Sequence, residues 1–357
     1  METTETTRII DAPAVAAVVA HVGLARLFEL AIERVEAVST AEAAGVVQQK
    51  ERDGFRFTTP FPGLLEWMSA VRHGSTVSVK AVGYNPHNPA KNALPTILST
   101  VLAFDYDSGH LRTVIDGTFT TALRTGAASA VASRALADPG SRVLGLVGCG
   151  AQAVTQLHAL SRVFRFDEVL VSDVNPAAEN SFASRARMRP GLVRSVPLAE
   201  LEAQADVICT ATSVAPGDGP VIRGERLKPA VHLNCVGSDM PDKTELPREL
   251  LDRVTVCPDH HVQASKEGEC QRLSADAIGP SISTVLGDPR RYAGLRAERT
   301  VYDSTGLAIQ DLAMVELFDE LAHELGIGSL IRVEANSGDP YDPYAFLPAD
   351  VTSGFGA

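Results

Sequence analysis

The sequence has little basic charge relative to its acidic charge. Its 357 residues include 32 Lys and Arg against 44 Asp and Glu, which gives a formal net charge of -12 at pH 7 and an isoelectric point near 5.2. A negative surface repels phosphate groups, so this balance argues against nucleic acid or an anionic membrane surface as a partner. The charge bears on solubility and leaves the function open.

Cysteines are few, and they lack the spacing of a metal site or a disulfide framework. The five are Cys149, Cys209, Cys235, Cys257 and Cys270, with no C-x-x-C or Cys/His pattern among them. Most lie in or beside segments with strand character. We therefore predict no bound metal, and reduced, buried thiols in a cytoplasmic protein.

A long apolar run and a basic N-terminal region are also lacking. Residues 1–23 begin with polar and acidic residues and contain only a short apolar stretch, so we expect neither a signal peptide nor a membrane span. What the chain does have is length and apolar content. With 45% hydrophobic residues, 357 residues are enough for two globular domains with a core each.

Two glycines interrupt the strongest local pattern, VLGLVGCGAQAVTQLHAL at residues 143–160. A strand-like run ends at Gly148 and Gly150 and passes into a helix-forming segment with Ala153, giving G-x-G-x-x-A. This motif allows a tight turn, close approach of backbone to a pyrophosphate and close packing of helix on strand, and it predicts dinucleotide binding. Glycine pairs also end strands for structural reasons, so a plain βαβ unit is the alternative.

An acidic residue follows the next strand-like segment. Glu168–Ser172 has the composition of a second strand, and Asp173 closes it. A carboxylate there accepts hydrogen bonds from the adenosine ribose and repels a 2′-phosphate, and no basic residue follows at once. We therefore predict NAD rather than NADP as the cofactor.

Periodicity changes along the chain. Residues 13–37 have helical spacing, residues 56–116 contain short β-type runs separated by turns, and residues 121–137 form an alanine-rich helical segment. Strands and helices then alternate as in a doubly wound parallel sheet, before a last helix at 309–325 and a Pro- and Gly-rich, irregular tail at 339–356. These patterns predict a nucleotide domain inserted into a second domain.

Four charged residues occur where the surrounding sequence gives no reason for a charge. Lys80 lies in the β-type run VSVKAVGY, Glu66 in LLEWM, Arg124 on an otherwise small-residue helix, and Asp239 after a strand of the nucleotide region. The carboxyl ends of parallel strands bind ligands, and Arg124 suits an anion. The structural alternatives are an edge-strand lysine for Lys80, a structural carboxylate for Glu66 and a helix cap near Lys243 for Asp239.

An ordered set of motifs over nearly the whole chain resembles the ornithine cyclodeaminase and mu-crystallin family. The motifs are LLEWM at 64–68, SVKAVGYNPHNP at 78–89, LPTILSTVLAFD at 94–105, ALRTGAASAVASRALA at 122–137, GLVGCGAQAVTQLHAL at 145–160, NCVGSDMPDKTEL at 234–246 and YDSTGLAIQDLA at 302–313. Within the family, EWM, the GYNPHNP turn and GECQ at 268–271 look most like the lysine cyclodeaminases that make pipecolate for secondary metabolism.

The resemblance implies roles for individual residues. Arg56, Lys80 and Arg124 would hold a substrate carboxylate, Glu66 would contact a substrate amine and Asp239 would transfer protons, so that Asp239, Glu66 and Lys80 form the catalytic set. The residues implied to bind NAD are Thr125, Gly148, Gly150, Ala151, Gln152, Asp173, Thr210, Ser213, Val236, Ser304, Thr305 and Gly306.

The resemblance also implies an architecture and an assembly. The predicted fold class is α/β, with a Rossmann-type doubly wound NAD-binding domain (residues 124–306) inserted in an α+β substrate-binding and dimerisation domain (residues 1–123 and 307–357). A homodimer joined through the substrate domains is expected, and residues 56–116 and the alanine-rich face of residues 121–137 offer surfaces for it.

The implied activity is that of an NAD-dependent cyclodeaminase, which converts a basic diamino acid to a cyclic imino acid with loss of ammonia. L-Lysine to L-pipecolate is favoured, or L-ornithine to L-proline. A net ketimine reductase or amino acid dehydrogenase is the alternative on the same scaffold. A non-catalytic, crystallin-like ligand-binding protein is the alternative of another class, and the joint presence of Lys80, Arg124 and Asp239 disfavours it.

Overall fold

The computed structural model describes residues 6–58, 63–189, 191–335, 339–348 and 351. The helices are α1 (Ala12–Val22), α2 (Leu24–Ala43), α3 (Asn88–Lys91), α4 (Gly117–Leu136), α5 (Ala151–Val163), α6 (Pro176–Arg185), α7 (Leu198–Gln204), α8 (Arg248–Leu251), α9 (His261–Ala264), α10 (Ile282–Gly287) and α11 (Ala308–Leu325). Of the tail predicted to be irregular, residues 339–348 form turns and bends, and most of the remainder lies outside the described residues.

The strands belong to two sheets. They are β1 (Thr7–Ile10), β2 (Val47–Gln49), β3 (Asp53–Phe57), β4 (Gly63–Arg72), β5 (Thr76–Tyr84), β6 (Ile97–Asp105), β7 (Leu111–Asp116), β8 (Val143–Val147), β9 (Glu168–Ser172), β10 (Val193–Ser195), β11 (Val207–Thr210), β12 (His232–Cys235), β13 (Thr255–Pro258), β14 (Thr300–Asp303) and β15 (Ser329–Ile331).

The first sheet is mixed, with the order β15-β1-β7-β6-β5-β4-β2 and with β3 paired to β4 beside β2. The sequence predicted β4 to β7, whose apolar residues alternate. Along β4, Leu64, Glu66 and Met68 face the buried side, while Leu65 and Trp67 face outward. Met68 pairs with Lys80 of β5, so Glu66 and Lys80 lie on the same inner face. This face is covered by α11 and α4.

The second sheet is entirely parallel, with the order β10-β9-β8-β11-β12-β14-β13. Its central strands are buried along their whole length, as expected when helices cover both faces. Separate apolar clusters fill the space on its two faces. The structure confirms the predicted α/β class with a doubly wound nucleotide-binding sheet, whereas the predicted domain boundaries remain a prediction.

The alanine-rich segment forms α4, a buried helix that connects the two sheets. It begins after an N-cap in which Asp116 accepts the backbone N–H of Thr118, and it continues without a break past residues 123 and 124. A Cβ at Gly126 would lie 2.6 Å from the Thr155 carbonyl oxygen, so glycine is what allows α4 to approach α5 so closely. The small-residue face is thus occupied within the chain, and its prediction as a subunit surface is wrong.

Among the described residues, no single helix has the length and apolar character needed to cross a membrane. The pair α1 and α2, bent by 100° at Gly23, meets the length and composition criteria only when taken together. Leu27 and Phe28 of α2 belong to the apolar cluster that fills the space between the first sheet and its helices.

Candidate active site

The glycine turn between β8 and α5 is open around Gly150 and leaves the start of the helix without a side-chain cap among the described residues. Gly148 has φ +89°, and a Cβ there would lie 2.7 Å from the Ala211 carbonyl oxygen, so glycine is required. A Cβ at Gly150 would meet no described atom within 4 Å, and no described side chain caps the helix that begins with Ala151 and Gln152. This turn fits a pyrophosphate group.

Asp173 lies beside this turn, at the end of β9. Its carboxylate accepts hydrogen bonds from the backbone N–H groups of Cys149 (2.6 Å) and Asn175 (2.7 Å). Asn175 in turn caps α6. The carboxylate is therefore held next to the phosphate turn, which is where an adenosine ribose is bound in this type of fold.

The other residues predicted to bind the cofactor lie on α4 and at the carboxyl ends of β11, β12 and β14. Three have hydroxyl groups that already donate within the chain: Thr125 to the Thr121 carbonyl (2.8 Å), Thr210 to Glu245 (2.6 Å) and Thr305 to Asp259 (2.9 Å). By contrast, the Ser304 hydroxyl is buried with no hydrogen-bond partner among the described residues. Val236 is buried and Ser213 is exposed on the loop after β11.

Buried carboxylates brace the loops at this edge of the sheet, and no local sequence pattern indicates them. Glu245 accepts the backbone N–H groups of Thr212 and Gly237, both at 2.9 Å, which links the loops after β11 and β12. Asp303 accepts those of Glu269 (2.9 Å) and Cys270 (2.8 Å). Burial raises the pKa of Asp303 to about 7. These contacts fix the crevice in which a cofactor would lie.

Lys80 and Arg124 converge on one buried carboxylate of α11. Lys80 Nζ lies 2.9 Å from Asp311 Oδ1, and Arg124 Nε lies 3.5 Å from the same oxygen. Arg124 also donates to Gln310 at 3.1 Å. Burial lowers the pKa of Lys80 to about 8, against the opposing effect of Asp311. Since β5 lies between β4 and β6, the edge-strand alternative for Lys80 is wrong.

The two sheets meet at Gly306. This residue follows β14 with φ +84°, and a Cβ there would lie 2.7 Å from a terminal guanidinium nitrogen of Arg124. From the other side, Arg52 Nη2 donates to the carbonyl groups of Thr305 (2.5 Å) and Gly306 (2.7 Å). The predicted anion-binding arginine is therefore placed next to the end of the nucleotide-binding sheet.

A cavity of about 270 Å³ opens beside this junction. Glu66 and Arg56 line it, with Glu66 buried in β4 and Arg56 exposed on β3, and their roles toward a substrate remain predictions. Arg52 and Glu267 line it as well. Arg52 and Glu267 could not be recognised from the sequence, because both lie in runs of charged residues that are typical of solvated loops.

Asp239 lies on the loop after β12 and forms an ion pair. Its Oδ1 is 2.9 Å from Nζ of Lys243, whose ammonium also lies 5.4 Å from the ring centroid of Tyr84. Burial lowers the pKa of Lys243, but Asp239 and Tyr84 outweigh this effect and the net shift is upward. The loop at 236–247 contains only turns and bends up to the start of α8, so the helix-cap alternative for Asp239 is wrong.

Known proteins resemble this chain over most of its length. An L-lysine cyclodeaminase of Streptomyces rapamycinicus is 42% identical over 294 residues, covering 82% of this chain and 86% of that protein. A solved structure of a lysine cyclodeaminase, described for its recognition of L-lysine, L-ornithine and L-2,4-diaminobutyric acid, is 45% identical with a TM-score of 0.92 and covers 96% and 99% of the two chains.

A more distant solved structure is an archaeal alanine dehydrogenase dimer with bound NAD. It is 32% identical with a TM-score of 0.81, and the match covers 92% of this chain and 100% of that chain. The model of the ornithine cyclodeaminase/mu-crystallin family matches residues 13–325. The chain therefore belongs to the ornithine cyclodeaminase/mu-crystallin family.

Proposed function

We propose that the protein is an NAD-dependent cyclodeaminase that converts a basic diamino acid to a cyclic imino acid and ammonia, with L-lysine to L-pipecolate favoured over L-ornithine to L-proline. The observation that carries the proposal is the pairing, at one junction, of a buried cationic site with an acidic cavity. Lys80 and Arg124 form the first, and Glu66 belongs to the second. A diamino acid has the complementary charges, a carboxylate at one end and an ammonium at the other.

The cationic residues hold the α-carboxylate. Lys80 and Arg124 are fixed by Asp311 and Gln310, so they meet the substrate in a set orientation, and Arg56 closes the site from the exposed strand β3. Arg suits this task because its guanidinium forms paired hydrogen bonds to a carboxylate. Fixing the carboxylate fixes Cα, which is the positional part of catalysis.

The acidic residues manage the substrate amines. Glu66 contacts the side-chain amine, and Asp239 takes the proton that this amine must lose before it attacks Cα, then returns a proton to the departing ammonia. Asp239 suits the role because its side chain is 29% exposed and is held by Lys243 at 2.9 Å.

NAD fits the glycine turn, where Gly148, Gly150, Ala151 and Gln152 would face the pyrophosphate, and Asp173 would bind the ribose. Thr125, Thr210, Ser213, Val236 and Ser304 to Gly306 would surround the rest of the cofactor. When bound, NAD would supply hydride-transfer chemistry at Cα and at the cyclic imine, with no net redox change.

The alternatives differ in what they do with the second amine. A net dehydrogenase or reductase of the same family needs the cationic site but has no use for an acidic cavity, so Glu66 favours the cyclodeaminase. A ligand-binding protein without turnover has no use for Asp239.

The test is incubation with L-lysine or L-ornithine and a catalytic amount of NAD, followed by mass analysis. Pipecolate or proline together with ammonia, in amounts exceeding the NAD supplied, is the expected result. Stoichiometric NADH formation without cyclisation would instead indicate a dehydrogenase, and no product from either amino acid would favour the ligand-binding alternative.

We also propose a homodimer and a cytoplasmic location. The outer face of the first sheet is apolar and exposed, with Leu65 and Trp67 of β4 and Phe55 of β3 among its residues. Such a face is typical of a subunit interface. All five cysteines are buried and unpaired, which supports a reducing compartment.

A further inference from the structure

The acidic cavity contains a carboxylate that the proposed function leaves without a role. Glu267 follows α9, and its side chain is buried, with 5% of the residue exposed. Its Oε1 lies 2.9 Å from Arg52 Nε, but without hydrogen-bond geometry, and neither atom has a hydrogen-bond partner among the described residues. A buried carboxylate oxygen without a donor is unfavourable, unless a ligand supplies the donor.

Glu66 stands on the other side of the same arginine. Its Oε2 lies 3.6 Å from Arg52 Nη1, and Glu66 is nearly as buried as Glu267. The remaining Arg52 nitrogen, Nη2, is committed to the carbonyl groups of Thr305 and Gly306. Two buried carboxylates therefore share one guanidinium, and one negative charge is left without a buried counter-ion.

The other charges around the cavity do not supply that counter-ion. Lys266 is exposed and pairs with the exposed Glu51. Arg56 is exposed, so water screens its charge. Lys243 is already paired with Asp239. The unbalanced charge thus matches a cation that arrives with the substrate.

The protonation behaviour of Glu267 agrees with this charge count. Burial raises the pKa of Glu267 to about 7, Arg52 opposes this rise, and the negative charges of Glu66, Asp239 and Asp259 add to it. Burial likewise raises the pKa of Glu66. A bound ammonium would relieve the repulsion between these groups and favour their charged forms.

We propose that Glu267 is a specificity-determining residue that, together with Glu66, receives the side-chain ammonium of the diamino acid. This inference rests on the proposed function and adds a second carboxylate to the site for that amine. An amino acid without a second amine leaves the negative charge unpaired, so its binding lacks the stabilisation that this ion pair gives to a diamino acid. The Glu66–Glu267 pair thereby selects diamino acids over monoamino acids of the same length.

The experiment measures ligand binding to the NADH-loaded protein by calorimetry, since hydride cannot leave the substrate when the cofactor is already reduced. L-Lysine is compared with L-norleucine, which has the same carbon chain without the terminal amine. In Glu267→Gln, the dissociation constant of L-lysine should rise at least tenfold, as expected for loss of a charged hydrogen-bonding group. That of L-norleucine should change less than threefold.

Glu51→Gln is the matched control. It removes one negative charge from the same cavity at an exposed position, so both dissociation constants should remain close to those of the wild type. Thermal unfolding of each variant checks the fold. If Glu267→Gln unfolds, Glu267→Asp replaces it, because it keeps the negative charge but moves it back by one methylene group. The Glu267→Asp protein should prefer L-lysine over L-norleucine less strongly than the wild type does, but should still prefer it.

The pH dependence provides a readout that a structural role would not affect. As the pH falls through about 7, Glu267 takes up a proton and loses its charge, so the wild type should lose affinity for L-lysine but not for L-norleucine. In Glu267→Gln this dependence should be weaker.

Unchanged L-lysine affinity and an unchanged pH profile in this variant would overturn the proposal, even if the wild type converts L-lysine. Failure of the wild type to convert any diamino acid would remove the proposed function, while the binding comparison would still decide the role of Glu267.

Discussion

Asp239 is a catalytic candidate that is held in place by its own loop. Lys243, four positions later, is almost wholly buried, and its ammonium is oriented by both Asp239 and the ring of Tyr84. Because Tyr84 belongs to the first sheet and Asp239 to the loop of the second, this contact also joins the two parts of the site. The proton-transfer role can thus be separated by experiment from the structural one.

Asp239→Asn should lower turnover by roughly 10² to 10⁴-fold and change NAD affinity little, since an amide keeps the size of the carboxylate but cannot accept the proton. Steady-state kinetics with L-lysine and L-ornithine measure the effect. Asp242→Asn is the control: it lies in the same loop, exposed and with φ +64°, a conformation that Asn tolerates well. Normal turnover with a lowered melting temperature in Asp239→Asn would assign this residue to the ion pair alone.

Helix α11 supplies the polar groups beneath the first sheet. Asp311 and Gln310 are buried on a helix that is otherwise apolar there, and they orient Lys80 and Arg124. A lysine so deeply buried would lose its proton more readily without a nearby carboxylate. The charge of Lys80 therefore depends on the position of α11.

Asp311→Asn should shift the alkaline limb of kcat/KM for L-lysine to lower pH by about one unit or more. Lys80 binds a carboxylate only while protonated, and its pKa, already lowered by burial to about 8, falls further when Asp311 no longer opposes that effect. Comparison with the wild type at each pH cancels the titration of the substrate itself. Asp319→Asn, on the same helix but bonded to Thr113 Oγ1 at 2.6 Å, should leave the profile in place.

The elements could be predicted where a pattern is long enough to repeat. The alternation in β4 to β7 and the apolar runs of the second sheet were sufficient, even for strands of three or four residues such as β10 and β11, whereas β1, β2, β3 and β15 were missed. The same limit applies to the site. Lys80 and Glu66 are conspicuous because they interrupt apolar strands, but Arg52 and Glu267 lie among other charged loop residues, and only the fold brings them together.

The candidate site lies where the two sheets meet, and neither sheet contains it alone. The first contributes Glu66 and Lys80 from adjacent strands, the second contributes the glycine turn and Asp239, and α4 and α11 connect them. Relative movement of the sheets would separate the cationic site from the cofactor crevice. Arg52 opposes such movement through its bonds to Thr305 and Gly306.

The outer face of the first sheet exposes apolar side chains that suit the proposed subunit interface. Trp67 is 40% exposed and packs edge-to-face on Phe55, with ring centroids 5.6 Å apart. If a second copy of the chain covers this face, Trp67→Glu should place a charge in the interface and yield a monomer near 37.8 kDa in light scattering, against twice that mass for the wild type. Leu325→Lys is the control, because Leu325 is 38% exposed but ends α11 on the other side of the sheet.

Since Arg56 lies between Phe55 and Phe57 on β3, we expect the monomer to bind L-lysine more weakly while its NAD affinity is unchanged. A Trp67→Glu protein that still forms dimers would show that the subunits meet elsewhere.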